Sequence, residues 1–126
     1  MIGFIGKIEE MTLQNDYFRK VINTSVGQQL VLMCLQPNEE IGMEVHDTVD
    51  QFFRIEQGEG KVIMNGEEAL VSDGFAIVVP RGTQHNIVNS GIGPLKLYTI
   101  YSPPNHPADR AQKTKAEADA AETEKH

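Results

Sequence analysis

Glu44 and His46 stand two residues apart in Met43-Glu44-Val45-His46, and His85 closes the run Pro80-Arg81-Gly82-Thr83-Gln84-His85. In an extended chain, residues i and i+2 point to the same face. One strand can therefore present the Glu44 carboxylate and the His46 imidazole side by side, and a fold must bring His85 to them. Two histidines and one carboxylate that converge in a β-barrel would hold a divalent metal and leave coordination positions open. That ligand set is the one used by non-haem iron(II) oxygenases, and Mn, Ni and Zn also accept such donors. A histidine alone on a strand is more often an ordinary polar residue, so the pattern rests on the three converging.

The elements that must position these residues are short and β-rich. Residues 17–24, 28–36, 42–46, 50–57, 61–64, 67–71, 75–79, 85–89 and 95–101 read as strands, with a short first strand at 4–8. The run 28–36 is apolar on both faces, as a strand buried on both sides would be. Asn65-Gly66 between two β-rich runs is the strongest hairpin signal in the chain. Strands of this length separated by turns predict an all-β sandwich or barrel. No helical period appears before residue 105, and no repeat of 20–50 residues is present.

Composition narrows the function classes. The chain has 126 residues, enough for one domain with a core. Its formal charge of −7 argues against a nucleic-acid backbone or an anionic membrane surface as partner. Cys34 is the single cysteine, so no intramolecular disulfide forms, which suits a cytoplasmic protein. Cys34 itself reads as a small core residue. The N-terminal residues are interrupted by charge too early for a signal-peptide core, and no apolar run is long enough to span a bilayer. A soluble, cytoplasmic protein is expected.

Residues 74–89 carry the sharpest pattern: Gly74, five residues, Pro80, one, Gly82, two, His85, three, Asn89. This resembles the second motif of the cupin superfamily position for position. The first cupin motif is matched less fully. With Gly58 as its closing glycine, His46 takes the second histidine position, Glu44 the first, and Gln51 the usual glutamate; the leading glycine falls at Asn38. The resemblance covers roughly residues 31–101. It implies a double-stranded β-helix (jelly-roll) barrel over residues 1–104, a short helical or disordered C-terminal tail over 105–126, and a metal held by Glu44, His46, Gln51 and His85. Gln51 would be a weak oxygen donor or a hydrogen-bond partner just outside the ligands. The resemblance also implies a homodimer, to which an outward Phe52 could contribute.

Three functions fit this reading. The first is a metal-dependent enzyme on a small molecule, of dioxygenase or isomerase type. The second is a non-catalytic module that binds a small ligand, and the third is a barrel without metal. Asp47 and Asp50 read as solvated, and His106 and His126 as outside the site. Of Tyr98 and Tyr101, which have opposite parity, one would line the pocket. Residues 109–126 lack an apolar stripe, which predicts that their removal leaves stability nearly unchanged.

Overall fold

A computed structural model describes residues 3–124. Nine strands form where the sequence alternates or runs apolar between turn residues. They are β1 (Arg19–Thr24), β2 (Gln29–Leu35), β3 (Asp50–Gln57), β4 (Glu59–Met64), β5 (Glu67–Ser72), β6 (Ala76–Val79), β7 (His85–Asn89), β8 (Leu95–Ser102) and β9 (Ala111–Gln112). They make a six-stranded sheet in the order β6-β3-β8-β2-β1-β9 and a three-stranded sheet in the order β5-β4-β7. Every strand pairing is antiparallel. Both sheets contribute to one core, with Val31, Met33, Phe53, Ile55 and Leu97 from the larger and Val62, Val71 and Ile87 from the smaller.

Register decides which side chains enter the barrel. Gln51, Tyr101 and Gln29 are cross-strand partners on β3, β8 and β2. Phe53, Thr99 and Val31 form the next row, and Ile55, Leu97, Met33 and Arg19 the one after. Cross-strand partners share a face of the sheet, so polar Gln51, Tyr101, Gln29, Thr99 and Arg19 lie among the core aliphatics. Asn65-Gly66 makes the expected hairpin, with both residues at positive φ (47° and 84°), as the two-residue turn between β4 and β5 requires. Gly58 is obligatory: its φ is +101°, and a Cβ there would lie 2.6 Å from the Pro94 carbonyl oxygen.

Three expectations are corrected. Residues 4–8 form no strand; the helix α1 (Ile8–Gln14) follows instead. Seven residues are too few to show a clear helical period, and much of what holds α1 comes from elsewhere. Lys96, on β8, donates through Nζ to the Leu13 carbonyl at 2.6 Å and to Asp16 Oδ1 at 3.2 Å. A cation at a helix C-terminus meets its unpaired carbonyls. Second, residues 42–46 contribute only a single bridge at Glu44, because Gly42 sits at φ +111° and lifts the chain off β7. The Asn86 side chain accepts the Gly42 N–H instead.

Third, the segment after residue 108 docks. β9 pairs with β1, Arg19 opposite Gln112 and Lys20 opposite Ala111. The helix α2 (Lys115–Glu124) follows, and its Ala118 is 4 % exposed within the core. The segment has no stripe because one small residue and a strand edge suffice to hold it. Among the described residues, no helix is long and apolar enough to cross a membrane.

Two predictions follow from the packing. Truncation after Pro107 should lower stability by about 2–4 kcal/mol, through lost strand pairing and a re-exposed core edge; urea unfolding of full-length and truncated protein measures it. Burial raises the Cys34 thiol above its ordinary pKa, the most important influence on it. Cys34 should therefore stay inert to a thiol reagent at pH 8 in native protein and react promptly in denaturant.

Candidate functional site

The site is assembled by one backbone bridge. The Glu44 N–H donates to the His85 carbonyl and the His85 N–H to the Glu44 carbonyl, each at 2.9 Å. The Gly82 N–H donates to the His46 carbonyl at 2.8 Å, tying the two segments a second time. Outside, Arg81 clamps the start of β3: its backbone N–H and Nε donate to Asp50 Oδ1 at 2.9 and 3.2 Å, and Nη2 to Oδ2 at 3.1 Å. Asp50 is thus exposed, as expected, but paired, and the Arg81 hydrogen bonds hold its carboxyl below the ordinary range. Asn89, the last residue of the second motif, is structural. Its Nδ2 donates to the Leu35 and Gly93 carbonyls, both at 2.9 Å, and its Oδ1 accepts from the Gly91 N–H.

Inside, Glu44, His46 and His85 come together. Glu44 Oε2 lies 3.0 Å from His46 Nε2. The contact has ion-pair distance without hydrogen-bond alignment, so His46 Nε2 remains a buried ring nitrogen with no hydrogen-bond partner. The rings of His46 and His85 are 5.4 Å apart. His85 Nδ1 lies 2.9 Å from the Thr83 carbonyl oxygen. A carbonyl only accepts, so Nδ1 carries the proton and Nε2 keeps its lone pair. Burial would raise the Glu44 carboxyl, but the His46 interaction and the charge of Arg19 bring it below its ordinary value. Glu44 is a carboxylate at neutral pH.

Gln51 faces inward and is 4 % exposed. Its Nε2 donates to Thr99 Oγ1 at 3.0 Å, and Thr99 Oγ1 donates to the Phe52 carbonyl at 2.8 Å. The chain fixes the amide and leaves Gln51 Oε1 buried with no partner. All four residues singled out in the sequence therefore line one interior. Among the described residues, no three His, Cys, Asp or Glu side chains stand as a ready-made metal cluster.

The sequence left Tyr98 and Tyr101 open and assigned neither His106 nor Arg19 to this interior. Tyr101, rather than Tyr98, enters the barrel; its ring meets His46 edge-on with centroids 6.0 Å apart. Burial pushes its hydroxyl up to about 12, so it stays protonated. His106 lies behind it, with Nε2 3.2 Å from Tyr101 Oη. Gln29 holds that strap: Oε1 accepts from the Asn105 and His106 N–H groups, and Nε2 donates to the His106 carbonyl at 2.7 Å. Arg19 is 5 % exposed. A proline-rich link hides His106 in the sequence, and strand-opening arginines are usually solvated. Only the alternation Arg19–Val21 against Met33–Val31 signals an inward arginine.

Residues 31–101 match the family model described as the cupin domain. The Bacillus subtilis uncharacterized protein YrkC is 49 % identical over 125 residues, covering 94 % of this chain and 67 % of YrkC. The uncharacterized protein L612 of Acanthamoeba polyphaga mimivirus is 46 % identical over 109 residues, 82 % of this chain and 68 % of L612. A crystal structure of BH2720 from Bacillus halodurans superposes with a TM-score of 0.91 at 44 % identity, covering 93 % of each chain. The chain belongs to the cupin family.

Thr99 is the hinge of the Gln51 geometry. Thr99→Val should unpair a buried amide and cost about 1–3 kcal/mol, read as a lower urea midpoint at unchanged m-value.

Proposed function

We propose that the protein is a metal-dependent cupin enzyme acting on a small molecule, with a divalent cation (Fe, Mn, Ni or Zn) held by Glu44, His46 and His85 and approached by Gln51 Oε1. The observation that carries this reading is a pair of buried polar atoms with no aligned hydrogen bond, one of them held only by the Glu44 carboxylate. His46 Nε2 and Gln51 Oε1 are buried without hydrogen-bond partners, and an unmet buried polar atom is costly. A cation satisfies both at once. The Thr83 contact leaves His85 ready to ligate through Nε2, as a carbonyl that accepts from the other ring nitrogen does for metal-bound imidazoles. The Thr99 contact does the same for Gln51. Glu44 supplies the negative charge, and its present contact with His46 is what a cation would displace.

The chain's own residues define what surrounds the reaction. Phe53 and Ile55 are fully buried below the site and exclude water from that side. The Tyr101 ring stands edge-on to His46, and its protonated hydroxyl lies against His106 Nε2. A bound cation supplies Lewis acidity, or an open position for oxygen. The fold does not choose between oxygenase and isomerase chemistry.

Purified protein should take up one Mn²⁺ equivalent, and His46→Ala and His85→Ala should each bind it more weakly by at least 10–100-fold, the range that outer-shell partners alone reach. Elemental analysis with circular dichroism checks this; unchanged metal content in both folded variants contradicts it. Gln51→Glu adds a carboxylate and should raise Mn²⁺ affinity, since hard ions prefer oxygen donors. Equal or weaker Mn²⁺ binding would place Gln51 outside the ligand set.

A further inference from the structure

Arg19 is a charged side chain inside the barrel, and its partners are neutral. Its cross-strand neighbour Met33 is fully buried, so Arg19 enters on the core face while Lys20 turns to solvent. One Nη donates to Gln112 Oε1 at 3.0 Å, and the guanidinium lies over the Phe18 ring at 5.3 Å. Its charge also acts on the Tyr101 hydroxyl. Arg19 Nε is buried and bonds to nothing, and among the described residues no carboxylate forms an ion pair with Arg19. The charge of Arg19 acts on Glu44, but no carboxylate pairs with the guanidinium directly, and a charge buried without a direct partner is costly.

The cleft is present. A cavity of about 270 Å³ is lined by Arg19, Glu44, Ile41 and Gly42 on one side and by Lys115 and Ala118 of α2 on the other. Its outer wall is acidic: Asp119 and Glu122 lie on α2, and Lys115 is already paired with Asp119 at 2.7 Å. Glu44 lines the same cavity as Arg19; were it engaged by a divalent cation, as proposed above, the guanidinium would be left to meet a ligand's negative charge.

We propose that Arg19 anchors the carboxylate of a small organic acid whose remaining atoms extend toward Glu44. The planar guanidinium fork matches a carboxylate better than a spherical anion. The inference rests on the metal-dependent reading above and gives its substrate a chemical class: a small acid, not a neutral sugar or an amine.

Lactate, its neutral analogue lactamide, and inorganic phosphate are titrated into full-length protein by calorimetry, with and without saturating Mn²⁺. Mn²⁺ uptake is measured separately, so the two readings fail separately. Wild-type protein should bind lactate about tenfold or more tightly than lactamide, and more tightly than phosphate. Arg19→Met should abolish the preference while Mn²⁺ binds as well or better, since a neighbouring positive charge is gone; Arg19→Lys should restore part of it. Equal binding of lactate and lactamide by wild type overturns the proposal without any variant. Retention of the preference by folded Arg19→Met also overturns it, and tighter phosphate binding overturns the carboxylate class. Failure of Mn²⁺ to bind, with the lactate preference intact in apo-protein, removes the metal reading and leaves Arg19 as the anion anchor.

Discussion

The paired backbone hydrogen bonds between Glu44 and His85 are the constraint on which the rest of the site depends. They join two segments that meet nowhere else in sequence, and they set both side chains at one depth in the barrel. The bridge exists because the chain around residue 40 is almost, but not fully, a strand beside β7. The Ile41 N–H bonds to the Ile87 carbonyl, Gly42 then departs, and Glu44 returns. A regular strand would keep every backbone group in the ladder. The interruption gives up ladder bonds, partly replaced by Asn86, and lets His46 swing over the interior while still two residues from Glu44.

The interior is expensive in polar groups, and most of the surrounding network exists to satisfy them. Gln51 leans on Thr99, Thr99 on the Phe52 carbonyl, Tyr101 on His106, and His106 on Gln29. Each link fixes one donor or acceptor and aims the next atom inward. Three of the buried atoms without an aligned hydrogen bond, His46 Nε2, Gln51 Oε1 and Arg19 Nε, belong to the interior. Structural networks close on themselves, whereas this one stops at atoms suited to a cation and an anion. That asymmetry is the physical basis for reading the barrel as a binding and reaction chamber.

Much of this was legible in the sequence because a period of two is a strong signal. β3 and β7 fall where their alternation ends, and Asn65-Gly66 fixes its hairpin by conformation alone. The i and i+2 spacing of Glu44 and His46 survives even though residues 42–46 are not a strand. Where the sequence was silent, the determinant was a tertiary partner. α1 is too short to show a stripe and is held by Lys96. The docked C-terminal segment depends on Ala118 and a two-residue strand edge. Arg19 reads as a surface residue until Met33 is known to lie opposite it. His106 sits among prolines, and nothing local connects it to Tyr101.

The central claim is that the Nε2 atoms of the two inward imidazoles turn to one shared cation, which displaces the Glu44 contact at His46. Nitrogen-15 imidazole spectra of the apo-protein, followed through a Zn²⁺ titration, test it most directly. The account predicts an Nδ1-protonated His85 before metal is added, and simultaneous shifts of the His46 and His85 Nε2 resonances that saturate at one equivalent. An Nε2-protonated His85, or Nε2 resonances that do not respond to Zn²⁺, would contradict it.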